Sequence, residues 1–415
     1  MIPLTYRLFR KQARLAVLLL VCVVPGVRGQ GLQEVNDFGD NPGNLRMFYY
    51  QPVANAGTSN GKQPLVVVLH GCTQSAGIIA AQTGWNKLAD AYGFTVLYPE
   101  QKLINNPERC FCWYRRGDIT KGKGEDVSIL EMIDYMKSHF RLDSSKVFIT
   151  GLSAGAAMSV VLMATYPETF NAGAIFAGGP YKATTSVFMA YPAMAGWVHK
   201  TPAKWGLKVT KQNRGYIGAY PRMIIYQGNK DRIVNRSNGF ELVKQWTNLH
   251  HLDTVPTTQI DHYAGVKDIR RTSFCNNDKR EQVVYYQINK LGHAYLIDPG
   301  PCLDQGGKRG IFSKDKNYHA TWWTALDFGL VKMDSIQGQP VVSHTAGDLV
   351  YSVPEHSGSS YSWICPEGSI VVAGAQSHSA TIRWGAKSGI LRVEETDANG
   401  CRRYHPDLLI TVLKP

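Results

Sequence analysis

The chain has 415 residues, which is enough for one large domain and a smaller one. Its formal charge is +13, but the Lys and Arg residues are scattered, without a dense basic block or a recognised nucleic-acid motif, so we do not expect nucleic-acid binding. A basic surface favours instead an acidic polysaccharide or an anionic cell surface as a contact.

The first 29 residues have the layout of a secretory signal peptide. Four basic residues precede an unbroken apolar run over 15–24, and the small residues Val27 and Gly29 allow cleavage before Gln30. The run is about half of the ~20 residues that a membrane-spanning helix needs, which argues against an uncleaved anchor. No later segment is apolar enough to span a bilayer, so we expect a secreted protein without stable membrane insertion. Loss of the leader's five basic residues lowers the formal charge from +13 to +8.

Residues 30–332 alternate between apolar strands and helices. After an edge hairpin over 38–51 and a loop over 55–63, strands are predicted at 64–69, 94–98, 147–150, 174–177, 222–226 and 283–288, and helices at 85–92, 126–140, 154–164, 240–249 and 319–328. This alternation predicts an α/β fold with a mostly parallel sheet that helices cover. Residues 178–220 show little periodicity, and we interpret them as a cap over a pocket.

The pattern of predicted secondary structure changes near residues 333–340, which we interpret as a linker. Beyond them, short alternating strands with Gly, Ser and Asn turns are predicted at 349–353, 361–364, 370–372, 380–384, 389–394 and 408–412, without a helical pattern. Residues 341–415 therefore predict a small all-β sandwich domain.

One turn in the α/β region has the pattern of a catalytic nucleophile. Gly151-Leu-Ser153-Ala-Gly155 lies between a predicted strand and a predicted helix. The pentapeptide alone occurs by chance in loops, but strand, tight turn and helix are the context in which G-x-S-x-G presents a reactive serine. The backbone amide of Ala154 then points at the group that Ser153 attacks, and it is our first predicted oxyanion donor.

Ester or amide cleavage by a serine also needs a base and a carboxylate that orients the base. Asp231 follows the strand at 222–226, and His293 follows the strand at 283–288. Because the carboxyl ends of parallel strands meet at one edge of the sheet, we predict that Ser153, Asp231 and His293 form a triad in the order typical of α/β-hydrolases. The rivals in less defined positions are Asp253, Asp261 and Asp268 for the carboxylate and His250, His251, His262 and His319 for the base.

The loop after the first central strand is expected to supply a second oxyanion donor. It reads His70-Gly71-Cys72-Thr73. We assign the backbone amide of Cys72, with Thr73 as the alternative, and we expect the His70 ring to brace the loop. This chemistry requires no metal and no organic cofactor.

Seven cysteines remain after the leader, and an odd count leaves at least one thiol unpaired. A metal site at the C-x-C pair of Cys110 and Cys112 is a weak alternative, because no second Cys or His pair lies nearby. The expected pairs are Cys275–Cys302, which would brace the segment that carries His293, Cys365–Cys401 in the last domain and Cys72–Cys110.

Several motifs fall in the order seen in a known family, at residues 38–47, 69–74, 84–89, 96–101, 151–158 and 292–293. They resemble the extracellular poly(3-hydroxybutyrate) depolymerase-type esterases, a family close to the feruloyl and acetylxylan esterases. The resemblance covers roughly residues 36–330 and implies an α/β-hydrolase fold with the triad at Ser153, Asp231 and His293. Gln227 replaces the histidine that the family usually has before the glycine ahead of its aspartate, and residues 110–114 depart from its Cys-Trp-Asn-Trp-like segment.

The last domain carries a second resemblance. Residues 361–368 and 394–401 are similar to PKD-like or immunoglobulin-like modules of secreted bacterial proteins. That resemblance implies contact with a polymer or a cell surface, or a role as a spacer.

Together these patterns predict a secreted serine esterase that acts through an acyl-enzyme on a polyhydroxybutyrate-type polyester or its oligomers. The nearest alternative is a feruloyl or acetylxylan esterase that acts on plant polysaccharide. A peptidase and a non-catalytic surface-binding protein, in which the β sandwich does the binding, are further alternatives. The loops at 102–123 and 178–220 set the pocket, so the sequence does not decide among these substrates.

Overall fold

A computed structural model describes residues 31–52, 61–343 and 345–413. The predicted signal peptide and most of the predicted loop at 55–63 lie outside these residues. The strands are β1 Gln33–Val35, β2 Arg46–Tyr50, β3 Gln63–Leu69, β4 Thr95–Glu100, β5 Leu142–Leu152, β6 Ala172–Phe176, β7 Arg222–Gly228, β8 Thr258–Asp261, β9 Ile269–Cys275, β10 Glu281–Ile288, β11 Tyr295–Ile297 and β12 Ser313–Asp315. The helices are α1 Ala76–Thr83, α2 Trp85–Tyr92, α3 Gly124–His139, α4 Ala154–Thr165, α5 Ala190–Met194, α6 Pro202–Thr210, α7 Ser237–Leu249 and α8 Ala320–Asp327.

Ten of these strands form one sheet in the order β1-β2-β4-β3-β5-β6-β7-β10-β9-β8. The six central strands, from β4 to β10, run parallel, and antiparallel strands extend the sheet at both edges. The predicted α/β fold with a mostly parallel sheet is therefore confirmed. All parallel strands end at the same edge, which is where the polar loops of the site lie.

The sheet is covered on both faces, as its apolar strands require. In β3, Leu65, Val67 and Leu69 belong to the core on one face, whereas Val66 and Val68 belong to the core on the other. Successive side chains of a strand point to opposite faces, so a continuous apolar run needs two cores. Of the described helices, none has both the length and the apolar character that crossing a bilayer requires.

Some elements were missed because their sequences lack the expected period. Helix α1 has four small residues among its eight and no polar stripe, although Ser75 caps it by accepting from the amide of Ile78. Strand β8 is exposed along its whole length and pairs at the sheet edge with β9. By contrast, α2 ends where predicted, because Gly93 adopts the left-handed conformation that closes a helix.

The C-terminal region contains only strands among its described elements: β13 Val341–Ser343, β14 Leu349–Ser352, β15 Ser360–Ile364, β16 Ile370–Ala373, β17 Ser379–Arg383, β18 Gly389–Thr396, β19 Arg402–Arg403 and β20 Leu408–Leu413. They form a five-stranded and a three-stranded sheet. A core between them includes Tyr351, Trp363, Ile382, Leu391 and Ile410. The predicted β-rich region is confirmed, while the exact limits of the linker at 333–340 stay a prediction.

Two disulfides are present, and only one matches the predicted pairs. Cys72–Cys110 is confirmed. The predicted pairs Cys275–Cys302 and Cys365–Cys401 are wrong, because Cys302 bonds to Cys401 and links the α/β region to the C-terminal sheets. Cys112, Cys275 and Cys365 are free thiols. Pairing across two regions depends on how they pack together, which no local sequence pattern reports.

Candidate active site

Ser153 occupies the turn between β5 and α4 in a backbone conformation that side chains rarely adopt, with φ 57° and ψ −118°. Such a conformation costs about 1–3 kcal/mol and persists where packing enforces it. Here Gly155 supplies that packing, since a Cβ on it would collide with the carbonyl oxygens of Leu69 and His70. Gly151 is equally confined, against the backbone of Gly155. The glycines therefore let strand and helix approach closely enough to form the strained turn.

Asp231 and His293 are joined by a hydrogen bond of 2.8 Å between Asp231 Oδ2 and His293 Nδ1. The other carboxylate oxygen, Oδ1, accepts from the backbone amides of Ile233 and Val234, each at 2.9 Å. Both side chains are buried, with 0% exposure for the aspartate and 7% for the histidine. Because Nδ1 donates to the carboxylate, Nε2 is left as the proton acceptor of the neutral ring.

The loops that carry these two residues are locked to each other. The amide of Lys230 donates to the carbonyl oxygen of Leu291 at 2.9 Å. Gly228 lies against the carbonyl oxygens of Leu291 and Gly292, where a larger residue would collide. The parallel pairing of β7 with β10 thus extends beyond the strand ends and fixes the distance between aspartate and histidine.

Ser153 and His293 line one cavity of about 220 Å³. Its wall is mostly apolar and comes from α4, from the segment 177–194 and from the loops after β4, β7 and β11. It includes Trp113, Tyr114, Ala157, Ala183, Ala190, Ala193, Met194, Ile233, Val234 and Phe312. Part of the segment predicted as a cap, 178–220, therefore does border the pocket.

The rival residues lie elsewhere. Asp261 is half exposed and pairs with Arg270, and Asp268 lies near Lys290 and Lys316. Asp253 accepts from the amide of Val255, while the rings of His250 and His319 bond to the carbonyl oxygens of Pro221 and Thr83. Among the residues that the structure describes, none of the seven rivals lines the cavity of Ser153.

Cys72, Thr73 and Ala154 also line this cavity. The amide of Thr73 is already used, because it donates to the carbonyl oxygen of Glu108 at 2.6 Å. No such backbone bond is found for the amide of Cys72 within the described part of the chain. This difference favours Cys72 over Thr73 as the second oxyanion donor.

Comparison with known proteins identifies the α/β region. Residues 47–260 match the model of the esterase PHB depolymerase family. The chain belongs to this family. It is 40% identical over 300 residues to poly(3-hydroxyalkanoate) depolymerase C of Paucimonas lemoignei, covering 72% of this chain and 70% of the relative.

Further relatives agree on the class of reaction. Feruloyl esterase B of Talaromyces stipitatus is 35% identical over 301 residues, covering 71% of this chain and 80% of that protein. The solved acetyl xylan esterase from Aspergillus awamori superposes with a TM-score of 0.58 at 31% identity, covering 64% of this chain and 94% of that one. The family member described here is thus a carboxylic ester hydrolase with an α/β-hydrolase fold. Residues 330–409 match a PKD-like domain.

In this esterase, His70 has the bracing role expected for it. Its Nδ1 donates to the carbonyl oxygen of Gly71 at 2.7 Å, and its Nε2 accepts from the amide of Gln101 at 3.0 Å. Complete burial lowers the pKa of His70 to about 4, so the ring is neutral near pH 7. The ring therefore connects the loop after β3 to the end of β4 without taking part in proton transfer.

Sequence reasoning missed a second brace, centred on Glu125. This buried carboxylate accepts from Gln101 Nε2 at 2.6 Å and from the amide of Cys112 at 2.7 Å. Burial raises the pKa of Glu125 to about 7, and the neighbouring Asp118 adds to the shift. Ligand atoms of Cys112, Asp118 and Glu125 lie within 4.8 Å of one another. Their hydrogen bonds give the cluster a structural explanation that needs no ion.

Gln227 stands where the family usually has histidine. It is buried, and its Nε2 donates to Val234 O at 3.2 Å and, at a longer 3.4 Å, to Asp231 Oδ2. The amide thus supports the same carboxylate oxygen that His293 contacts. Unlike histidine, it carries no charge at any pH.

Proposed function

We propose that Ser153 is the nucleophile, His293 the general base and Asp231 the orienting carboxylate of this ester hydrolase. The observation that carries the proposal is the 2.8 Å bond from His293 to Asp231, beside the cavity that Ser153 also lines. Ser153 Oγ attacks the ester carbonyl carbon while His293 Nε2 accepts the hydroxyl proton. The amides of Cys72 and Ala154 stabilise the resulting oxyanion.

The tetrahedral intermediate then expels the alcohol, which takes the proton from His293, and leaves an acyl group on Ser153. Water then attacks the acyl group on Ser153, with His293 again as the base, and the acid is released as Ser153 regains its proton. The test is turnover of short p-nitrophenyl esters by Ser153→Ala. We expect a loss of about 10⁴-fold or more in kcat, by analogy with other serine triads, and near wild-type turnover for Ser138→Ala on the surface of α3. Appreciable turnover by Ser153→Ala would contradict the proposal.

For the substrate we propose a poly(3-hydroxyalkanoate)-type polyester or its oligomers. The relative from Paucimonas lemoignei supports this choice, as does the apolar character of the cavity. An exposed apolar rim also continues from the cavity wall: Phe188 is 89% and Tyr191 69% exposed, on the same segment as the wall residues Ala190 and Ala193. An aliphatic polyester chain can lie along such a rim.

A feruloyl or acetyl ester on plant polysaccharide is the second candidate, and the fungal esterases named above support it. Release of hydroxybutyrate or its oligomers from polyhydroxybutyrate is compared with release of ferulate or acetate from xylan, using Ser153→Ala as the blank. Hydrolysis of xylan esters alone would replace the polyester proposal.

We further propose that the protein is secreted and that its PKD-like domain contacts a polymer or a cell surface. The leader-like residues 1–29 and the two disulfides support secretion, since disulfides persist in oxidising compartments. Fractionation of the producing cells tests the location: mature protein that begins at Gln30 is expected in the medium, and full-length protein retained inside the cells would refute secretion.

A further inference from the structure

A cluster of basic side chains lies beside the active-site cavity. We define the basic face as Lys182, Lys200, Lys208, Lys211 and Arg116. Burial and then the charges of Lys200, Lys182 and Lys211 lower the pKa of Lys208, and burial and then the charge of Arg116 lower the pKa of Lys182. Lys208 is therefore close enough to be repelled by Lys200, Lys182 and Lys211, and Lys182 is close enough to be repelled by Arg116.

These cations lack carboxylate partners. In the described part of the chain, no member of the basic face forms an ion pair, whereas nearby Lys121 and Lys244 pair with Glu168 and Glu241. The buried carboxylate of Glu241 is also occupied by the indole of Trp205 and by the backbone amide of Lys200. Lys208 and Lys211 are three residues apart at the end of α6, a spacing at which like charges are destabilising. The face therefore carries an unbalanced charge that a bound anion would neutralise.

The basic face begins at the rim of the cavity. Lys182 precedes Ala183, which lines the cavity, and Arg116 follows Tyr114, another lining residue, by two positions. The amine of Lys182 donates to Gln212 Oε1 at 2.8 Å, which ties the rim to the end of α6. The face also includes Lys211 and Lys208 at the C-terminal end of α6 and Lys200, which precedes that helix. A long ligand could therefore contact it while an ester on the same or an adjacent chain enters the cavity.

Aromatic rings lie beneath two of the lysines. The amine of Lys182 is 5.0 Å from the ring centre of Tyr181, and that of Lys200 is 5.4 Å from Trp205. Such rings hold the lysine stems in place, and the ammonium groups keep donors that a ligand carboxylate could accept. Several fixed cations in a row match a chain with repeated carboxylates better than a single small anion.

We propose that the basic face binds an acidic polysaccharide, a chain that carries uronic acid carboxylates, next to the mouth of the active site. The proposal does not depend on which ester occupies the cavity. A neutral polyester carries no charge that could pair with these cations, so it would leave the basic face open to a second, acidic chain. It assigns the catalytic domain a polymer contact of its own, separate from the PKD-like domain.

The test uses the full chain and polygalacturonate as the probe, with neutral dextran as the comparison polymer. The variant Lys200→Gln/Lys208→Gln/Lys211→Gln is matched with Lys62→Gln/Lys267→Gln/Lys332→Gln, which removes three exposed charges elsewhere. We expect wild type to bind polygalacturonate but not dextran, with about tenfold weaker binding for the first variant, because three charge contacts are lost. The matched variant should bind within about twofold of wild type, and binding should vanish in 1 M salt, where the Debye length is about 3 Å.

Controls separate this proposal from its alternatives. Thermal unfolding checks that the variants fold, and the corresponding Lys→Arg triple variant, which keeps the charge, should retain binding. Ser153→Ala should bind as wild type does, so a failure of the triad proposal is distinguishable from a failure here. The proposal is overturned if wild type does not bind, if both Gln variants lose affinity equally, or if double-stranded DNA binds as tightly with the same dependence on the basic face.

Discussion

His293 and Asp231 meet through one carboxylate oxygen, while the other is held by two backbone amides. In Asp231→Asn the amide oxygen can keep the backbone bonds, but its NH₂ group then faces Nδ1 of His293. Nδ1 must then accept from this new amide, so the neutral ring holds its proton on Nε2. With that proton facing Ser153, the ring can no longer act as a base. We expect kcat for p-nitrophenyl esters to fall by about 10³–10⁴-fold.

The matched control is Asp261→Asn, which alters a rival aspartate that is half exposed and paired with Arg270. Its turnover should stay within about twofold of wild type, since loss of an exposed ion pair is worth at most about 1 kcal/mol of stability. Comparable losses in the two variants, or a fully active Asp231→Asn, would show that another carboxylate orients the base.

Two glycines in helices should respond in opposite directions to replacement by alanine. A methyl group added at Gly77 in α1 would have nothing within 4 Å, so Gly77→Ala should stabilise the protein by about 0.5–1 kcal/mol through helix propensity. Gly155 in α4 lies against the carbonyl oxygens of Leu69 and His70, so Gly155→Ala should destabilise it by about 1–3 kcal/mol or more. Urea unfolding measures both changes.

Activity gives the second readout of Gly155→Ala. The added methyl group would push α4 away from β3 and displace Ser153 and the amide of Ala154 together. Ester turnover should therefore fall even under conditions where the variant is fully folded. An equal gain in stability for both glycine variants would mean that the strand and helix approach each other less closely than the contacts of Gly155 require.

The sequence predicted the central sheet because its strands are short, apolar and bounded by Gly, Pro or polar residues. It also predicted where Ser153, Asp231 and His293 lie, because all three follow strands that end at one edge. It did not predict the roles of Glu125 and Gln101, since a buried hydrogen-bonded carboxylate looks like any first-turn acid of a helix. It paired Cys302 wrongly because the partner, Cys401, lies 99 positions away and approaches only when the C-terminal sheets pack against the α/β region.

Glu125 should make stability depend on pH. Its folded pKa, about 7, is above the ordinary value of 4.5, so the folded protein holds this proton more tightly than the unfolded chain. The contribution of Glu125 to the free energy of unfolding is therefore present in full below about pH 4.5 and is lost as the pH rises toward 7 and above. The loss is at most about 3 kcal/mol, from 1.36 kcal/mol for each pKa unit.

Glu125→Gln removes this titration. Unfolding free energies of wild type and variant are compared at pH 4.5 and pH 8, and the difference between them should shift in favour of the variant at the higher pH. Other groups titrate in both proteins and cancel in the difference. A difference that stays constant across this range would mean that folding does not raise the pKa of Glu125.

Reducing the disulfide between Cys302 and Cys401 should loosen the C-terminal sheets from the α/β region. The bond joins residues separated by 99 positions, and closing so long a loop stabilises a folded chain by about 2–4 kcal/mol in typical cases. What remains between the regions includes the contact of Trp323 with Tyr404, whose ring centres lie 5.3 Å apart. We expect Cys302→Ser/Cys401→Ser to unfold at lower urea concentration and to be cut by protease near residues 333–340 sooner than wild type.

The matched variant Cys275→Ser/Cys365→Ser changes two free thiols and should do neither. Peptide mapping of the unreduced wild-type protein decides the pairing directly: a fragment that links Cys275 to Cys302 would restore the pairing predicted from sequence and remove the basis of this expectation.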